Sequence, residues 1–128
     1  MSQNTTLILL PQTSYLNPGN GTSYTVTGNS QPAAAYVLGN RDLQTISLNA
    51  INLTGNIIIE ASLSSSPTDN DWFKVFELDA NVNASANSES YIASNANMYT
   101  NVTGNFVYMR AKIKDFAGGG VNYVKLSY

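Results

Sequence analysis

Along the whole chain, apolar residues fall in short or alternating runs set between Gly, Pro, Asn and Ser, and no window of helical length keeps a three-to-four apolar spacing. The pattern predicts strands. Thr5 to Leu10 (TTLILL) reads as the first, stopped by Pro11, and Tyr24 to Thr27 as a short second one after the turn-rich NPGNGTS of Asn17 to Ser23. A turn cluster between Gly28 and Pro32 follows, and Ala33 to Leu38 fits either an extended segment or one loose helical turn. From Leu43 to Leu48 the apolar residues take alternate positions after the odd Gln44-Thr45 pair, as in a half-buried strand, and Leu43 to Ile51 is assigned as one.

Two later runs leave from the same Thr-Gly-Asn step, LTGNIIIEASL at Leu53 to Leu63 and VTGNFVYMRAKI at Val102 to Ile113. Gly supplies backbone freedom and Asn tolerates left-handed geometry, so both steps read as turns that open a strand. The likeness is local, since Glu60-Ala-Ser in one meets Met109-Arg-Ala in the other. Consecutive apolar residues at Ile57 to Ile59 and Phe106 to Met109 suit strands covered on both faces, or strands whose outer face meets another subunit. Between the two copies, SLSSSPTDNDWFKVFEL predicts a hairpin with a polar turn at Pro67 to Asn70 and a returning strand at Trp72 to Leu78. Asp79 to Asn97 reads as an exposed connection with one short strand near Tyr91 to Ala93, and FAGGG as a glycine turn before a last strand, Val121 to Tyr128. About eight strands with long connections predict an all-β fold, a single β-sandwich of jelly-roll or Greek-key type over 1–128.

Composition narrows the function. At 128 residues the chain is one ordinary domain, and its charged share of 11% is under half the usual soluble average. Asn, Ser and Thr carry the polarity, residues whose side chains compete for backbone hydrogen bonds and so disfavour helix interiors. A net charge of −2 with no basic cluster leaves no footprint for nucleic acid. No stretch is long and apolar enough for a membrane span, and MSQNTTLILLPQTS has too short an apolar run for a secretory signal. Sequons at Asn4, Asn20, Asn52, Asn83 and Asn101 are what so Asn- and Thr-rich a chain produces by chance.

With neither His nor Cys, a proton shuttle, a thiol nucleophile and a thiolate metal site are all missing, and no enzyme activity or cofactor is expected. Asp69 and Asp71 flank Asn70 as alternate oxygen ligands might in a calcium loop, but the further ligands are absent and the segment reads first as a turn. Trp72 reads as the core anchor of a sandwich, with a sugar-stacking platform over the Asp69, Asn70, Asp71 and Trp72 loop as the alternative. Arg110 sits inside an apolar strand, so its guanidinium should reach solvent or an acid such as Glu60, Asp115 or one on another subunit. Tyr91, Tyr99, Tyr123 and Tyr128, with Leu7 and Leu9 of the first strand, are the candidate interface residues.

From about Ala33 to Tyr128, the succession GNIIIEASL, PTDNDWF, GNFVYMRA and a closing strand ending in Tyr resembles small virion proteins and fibre or baseplate modules of tailed marine bacteriophages, cyanophages among them. The resemblance implies a structural virion protein, decorating the capsid or attached to head or tail. It would work through contacts with other virion proteins or with copies of itself, without a metal or cofactor. Residues 1–30, which the resemblance does not cover, read separately as a docking arm whose Thr6 to Leu10 would pair with another subunit. A carbohydrate-binding adhesin module, using the loops at Asp69 to Trp72 and Asn95 to Thr100, is the alternative.

Overall fold

A computed structural model describes residues 5–16, 22–39, 41–79 and 95–128. Its frame is two antiparallel 20-residue strands, β5 (Leu43–Ser62) and β8 (Tyr108–Ser127), paired from Thr45↔Ser127 to Ser62↔Tyr108. The free side of β8 is lined in succession by β1 (Thr6–Leu10), β2 (Thr13–Ser14), β3 (Tyr24–Thr27) and β4 (Gln31–Pro32), all antiparallel to it. On the free side of β5, β7 (Ala96–Thr103) pairs with its first half and β6 (Phe73–Asp79) with its second. One short helix, α1 (Ala34–Leu38), precedes β5, which settles the ambiguous Ala33 to Leu38 segment in favour of a helical turn.

The all-β expectation holds, and the described residues form eight strands in one continuous antiparallel sheet, not two separate sheets packed as a sandwich. That sheet curls so that both halves of the long strands bury their inner sides in one apolar cluster, with Ile46, Leu48, Val124 and Leu126 from one half and Ile57, Ile59, Met109 and Ile113 from the other.

Side-chain parity shows how the curl is built. In β5 the buried residues are even-numbered from Gln44 to Ala50, whereas those that join the core cluster in the second half, Ile57, Ile59 and Ala61, are odd-numbered. In β8 they are odd from Met109 to Ile113 and even from Val124 to Leu126. Side chains of a strand alternate faces, so a change of parity without a change of face requires inserted residues. Register shifts lie where they are needed, between Asn49 and Ala50, Ile51 and Thr54, and Thr54 and Asn56. Positive φ angles gather there too, 50° at Asn52, 55° at Asp115 and 61° at Gly119. At Gly119 a Cβ would run into the main-chain carbonyls of Asn52 and Ile51, so only glycine lets the two strands close up.

Two expectations are corrected by this bend. Thr54-Gly55-Asn56 does not open a strand: it lies in the middle of β5, where the same backbone tolerance serves a bulge. Likewise Gly118, Gly119 and Gly120 form no turn, because β8 runs through them with Gly118 and Gly120 in register with Thr54 and Ile51. The second echo, Thr103-Gly104-Asn105, does lead from β7 towards β8, although β8 begins only at Tyr108. Ile57, Ile58 and Ile59 are all buried, as a strand covered on both faces requires. The short strand expected near Tyr91 to Ala93 lies outside the described residues.

Beside the bend, Phe116 is fully buried and meets the rings of Tyr15 and Tyr24 at 5.6 and 5.5 Å, closing that end of the core. Gln44 holds an inward position that Leu43 leaves; its amide donates to the Asp42 and Val102 carbonyls and accepts from the Ala34 N–H, which ties α1 to the β5–β7 pair. No buried side-chain polar atom among the described residues lacks a partner.

Tyr128 ends the chain in the core, its hydroxyl donating to the Pro32 carbonyl at 2.9 Å, and burial pushes its phenol above the ordinary tyrosine range. A raised folded value favours the protonated form, so the contribution is complete below about pH 10, the ordinary tyrosine value, and is lost as pH climbs through the higher folded one. Tyr128→Phe should therefore cost about 1 kcal/mol at neutral pH for the lost hydrogen bond. The deficit relative to the parent should shrink in denaturant melts above about pH 10. A deficit constant across the alkaline range would contradict this.

Candidate functional site

Period-two alternation puts Glu60 of β5 on the outer face of the second half of the sheet, directly opposite Arg110 of β8. Lys112, two residues along, shares that face, and its Nζ lies 3.1 Å from Glu60 Oε2, while Arg110 Nε donates to Glu60 Oε1 at 2.8 Å. Of the acids the sequence offered to Arg110, the register selects Glu60. Trp72, at the end of the 3-10 turn Asp69–Asp71, lays its ring over the guanidinium, with Arg110 Cζ 4.3 Å from the ring centroid. The assignment of Trp72 to the core is corrected here. Its ring is half-buried on the outer face, because β6 enters the sheet one residue later and the preceding turn brings Trp72 over Arg110 of β8, across β5 from β6.

The turn is built for this. Thr68 and Asp71 form a reciprocal cap, Asp71 Oδ2 accepting from Thr68 N at 2.7 Å and from Thr68 Oγ1 at 3.0 Å. Asp71 is thereby spent on its own backbone, as a turn former would be, and the described residues contain no group of three or more acids, His or Cys placed to hold a metal. Across from the turn, Gly28 donates its N–H to the Ala111 carbonyl at 2.8 Å and brings the Asn29-Ser30 loop beside β8.

Between these walls runs an open groove of about 450 Å³, lined by Asn29, Ser30, Ser65, Trp72, Tyr108 and Arg110, and also by the Asp69 carboxylate. Tyr108 is flanked by Tyr36, ring centroids 5.4 Å apart, and the repulsion a second phenolate would meet there pushes Tyr108 above the usual tyrosine range. Further along the face, the hydrogen bond from Lys74 holds the Glu77 carboxyl below its ordinary value, aided by Asn56 and opposed by desolvation.

The outer face of the first half has a different chemistry. Register aligns Ile8, Lys125, Ser47 and Tyr99 across four strands, with Thr6, Ser127, Thr45 and Asn101 as the next row. Thr45 Oγ1 donates to Asn101 Oδ1 at 2.7 Å, Asn122 Nδ2 to Asn49 Oδ1 at 2.7 Å, and Lys125 Nζ sits 4.3 Å over the Tyr123 ring. Tyr99 is 68% exposed and Ile8 41%.

The candidate interface residues therefore separate. Tyr99 and the half-buried Tyr123 stand on this face, and Leu7 packs against the core from β1. Leu9 and Tyr128 are corrected: both are buried in the chain's own core, on the inward parity of β1 and β8, and offer nothing to a partner. Tyr91 lies outside the described residues. Asp69, Asn70, Asp71 and Trp72 do form one loop, but only Asp69 and Trp72 line the groove. Sequence reasoning missed Lys112 and the groove's Ser30 and Ser65. The signal for Lys112 was its spacing of two from Arg110, which puts both cations on one face of a strand.

No protein-family model, curated protein or solved structure matches the chain.

Proposed function

We propose that the chain is a structural component of a tailed-bacteriophage virion, attached to head or tail, that works through protein–protein contacts and not through catalysis. The observation that carries this reading is the outer face of β1, β8, β5 and β7. It spans four strands, displays Tyr99 and Ile8, and holds one charge, Lys125, among its described outward residues. Interface centres are poor in charge and rich in tyrosine, because charges are costly to desolvate while a phenol brings large contact area with one polar tip. The polar groups of this face already bond to each other in pairs, Thr45 to Asn101 and Asn122 to Asn49, so covering them strands few donors. The expected partners are coat or tail subunits or further copies of this chain.

Purified chain should co-sediment saturably with particles assembled without it, and Tyr99→Glu should weaken this by about tenfold or more, as loss of a central interface aromatic does. A monomer that stays in the supernatant, or binding indifferent to Tyr99→Glu, would overturn the reading.

One observation favours a second reading, recognition of a saccharide in the groove: a tryptophan held by Arg110 stands among hydroxyl and amide groups, the pairing of apolar surface and hydrogen-bonding groups that a sugar ring needs.

A further inference from the structure

The ion cluster that reaches the groove through Arg110 holds more than packing demands. Arg110 uses Nε on Glu60 Oε1, and its two terminal nitrogens have no hydrogen-bond partner among the described residues. A guanidinium offers a second edge of two parallel N–H groups there, matched to the two oxygens of a carboxylate. Trp72 over one face and Glu60 at one edge fix the plane of the group, so the fork is oriented before any ligand arrives. Glu60 faces both Arg110 and Lys112, and the one positive charge left over in this trio stands near the Asp69 carboxylate of the lining, so selection of a carboxylate rests on the oriented fork of Arg110, whose side chain keeps 19% of its exposure, and not on net charge.

The remaining walls describe the rest of the ligand. Ser30, Ser65 and Tyr108 hydroxyls and the Asn29 amide both donate and accept, which suits ring hydroxyls, and Trp72 supplies an apolar flank. The groove is open, and its volume of about 450 Å³ is within the ordinary range for small-ligand sites.

We infer that the groove between the Gly28–Ser30 loop and the Thr68–Trp72 turn is a binding site for a carboxylate-bearing saccharide, with Arg110 clasping the carboxylate and Trp72 flanking the sugar ring. This rests on the saccharide reading above and names its ligand class and its central residue. It is independent of the contacts made by the Tyr99 face, which lies on the other half of the sheet.

Because Trp72 is the single tryptophan of the chain, its fluorescence reports the groove alone. The full chain is titrated with a galacturonate tetramer, with the same tetramer fully methyl-esterified, and with tetra-glutamate. The galacturonate should change the emission saturably and more weakly as salt is raised. The ester and tetra-glutamate should each bind at least about tenfold less tightly, since one lacks the charge and the other the ring hydroxyls. Arg110→Lys, which keeps the charge but not the fork, should lose about tenfold for galacturonate. Asn29→Ala on the exposed loop, which leaves the ion cluster intact, should weaken both saccharides severalfold. Ester bound as tightly as acid would overturn the carboxylate assignment and leave the saccharide reading standing. Tetra-glutamate bound as tightly as galacturonate would overturn the saccharide, and no binding of either tetramer would overturn both.

Discussion

Gly119→Ala should lower the unfolding free energy by about 3–5 kcal/mol, the range of severe backbone or core lesions. Left-handed geometry alone would cost an alanine about 1–2 kcal/mol. The larger part comes from position: the added methyl points into the carbonyls of Asn52 and Ile51, which belong to main chain and cannot rotate away. Relief requires β5 and β8 to part where their register shifts and the sheet bends. Gly39 is the internal control. Its φ is 83°, also left-handed, but a Cβ there meets nothing within 4 Å, so Gly39→Ala should show the conformational cost by itself, about 1–2 kcal/mol. Equal losses for the two variants in urea melts would mean that close approach at the bend is not what holds the long strands together.

Glu60→Ala should cost about 2–3 kcal/mol at low ionic strength. Deleting one member of a buried ion pair typically costs about 3–5 kcal/mol because the partner's charge is left uncompensated. The value is reduced here because the Arg110 and Lys112 side chains keep 19% and 25% of their exposure and can reach water. Without the carboxylate the two cations face each other along one side of β8, so added salt should recover part of the loss. Lys74→Ala, which breaks the surface pair with Glu77 where the lysine is 57% exposed, should cost no more than about 0.5 kcal/mol. A Glu60→Ala variant as stable as the parent, with no salt response, would show that the cluster does not hold β5 to β8 on this face.

The contrast between these sites explains how far the sequence could be read. Strands such as Tyr24–Thr27 and the first stretch of β5 were legible because alternation is a local property. The continuity of β5 and β8 was not, because Asn and Gly serve a bulge and a turn through the same φ freedom, and only the opposite strand decides which is formed. Gln44 was opaque for a related reason: its inward place depends on the Val102 carbonyl, 58 residues away. Leu9 and Tyr128 show the limit of exposure arguments, since alternation says which residues share a face but not whether that face is the chain's own core or a partner's surface. At the groove, Trp72 and the acids around it were visible as a polar loop beside an aromatic. Arg110 was visible as a cation needing a partner, but their meeting depends on β6 and β8 flanking the same segment of β5.

The proposed role stands on the charge-poor face of the first half of the sheet, and hydrogen–deuterium exchange of the free chain against the particle-bound chain tests it most directly. New protection is expected along β7 and β1 on binding, centred on Tyr99 and Ile8, whose strands lie at the edges of the sheet among the described residues. Unchanged exchange along both strands in the particle-bound chain, with protection confined to other surfaces, would contradict it.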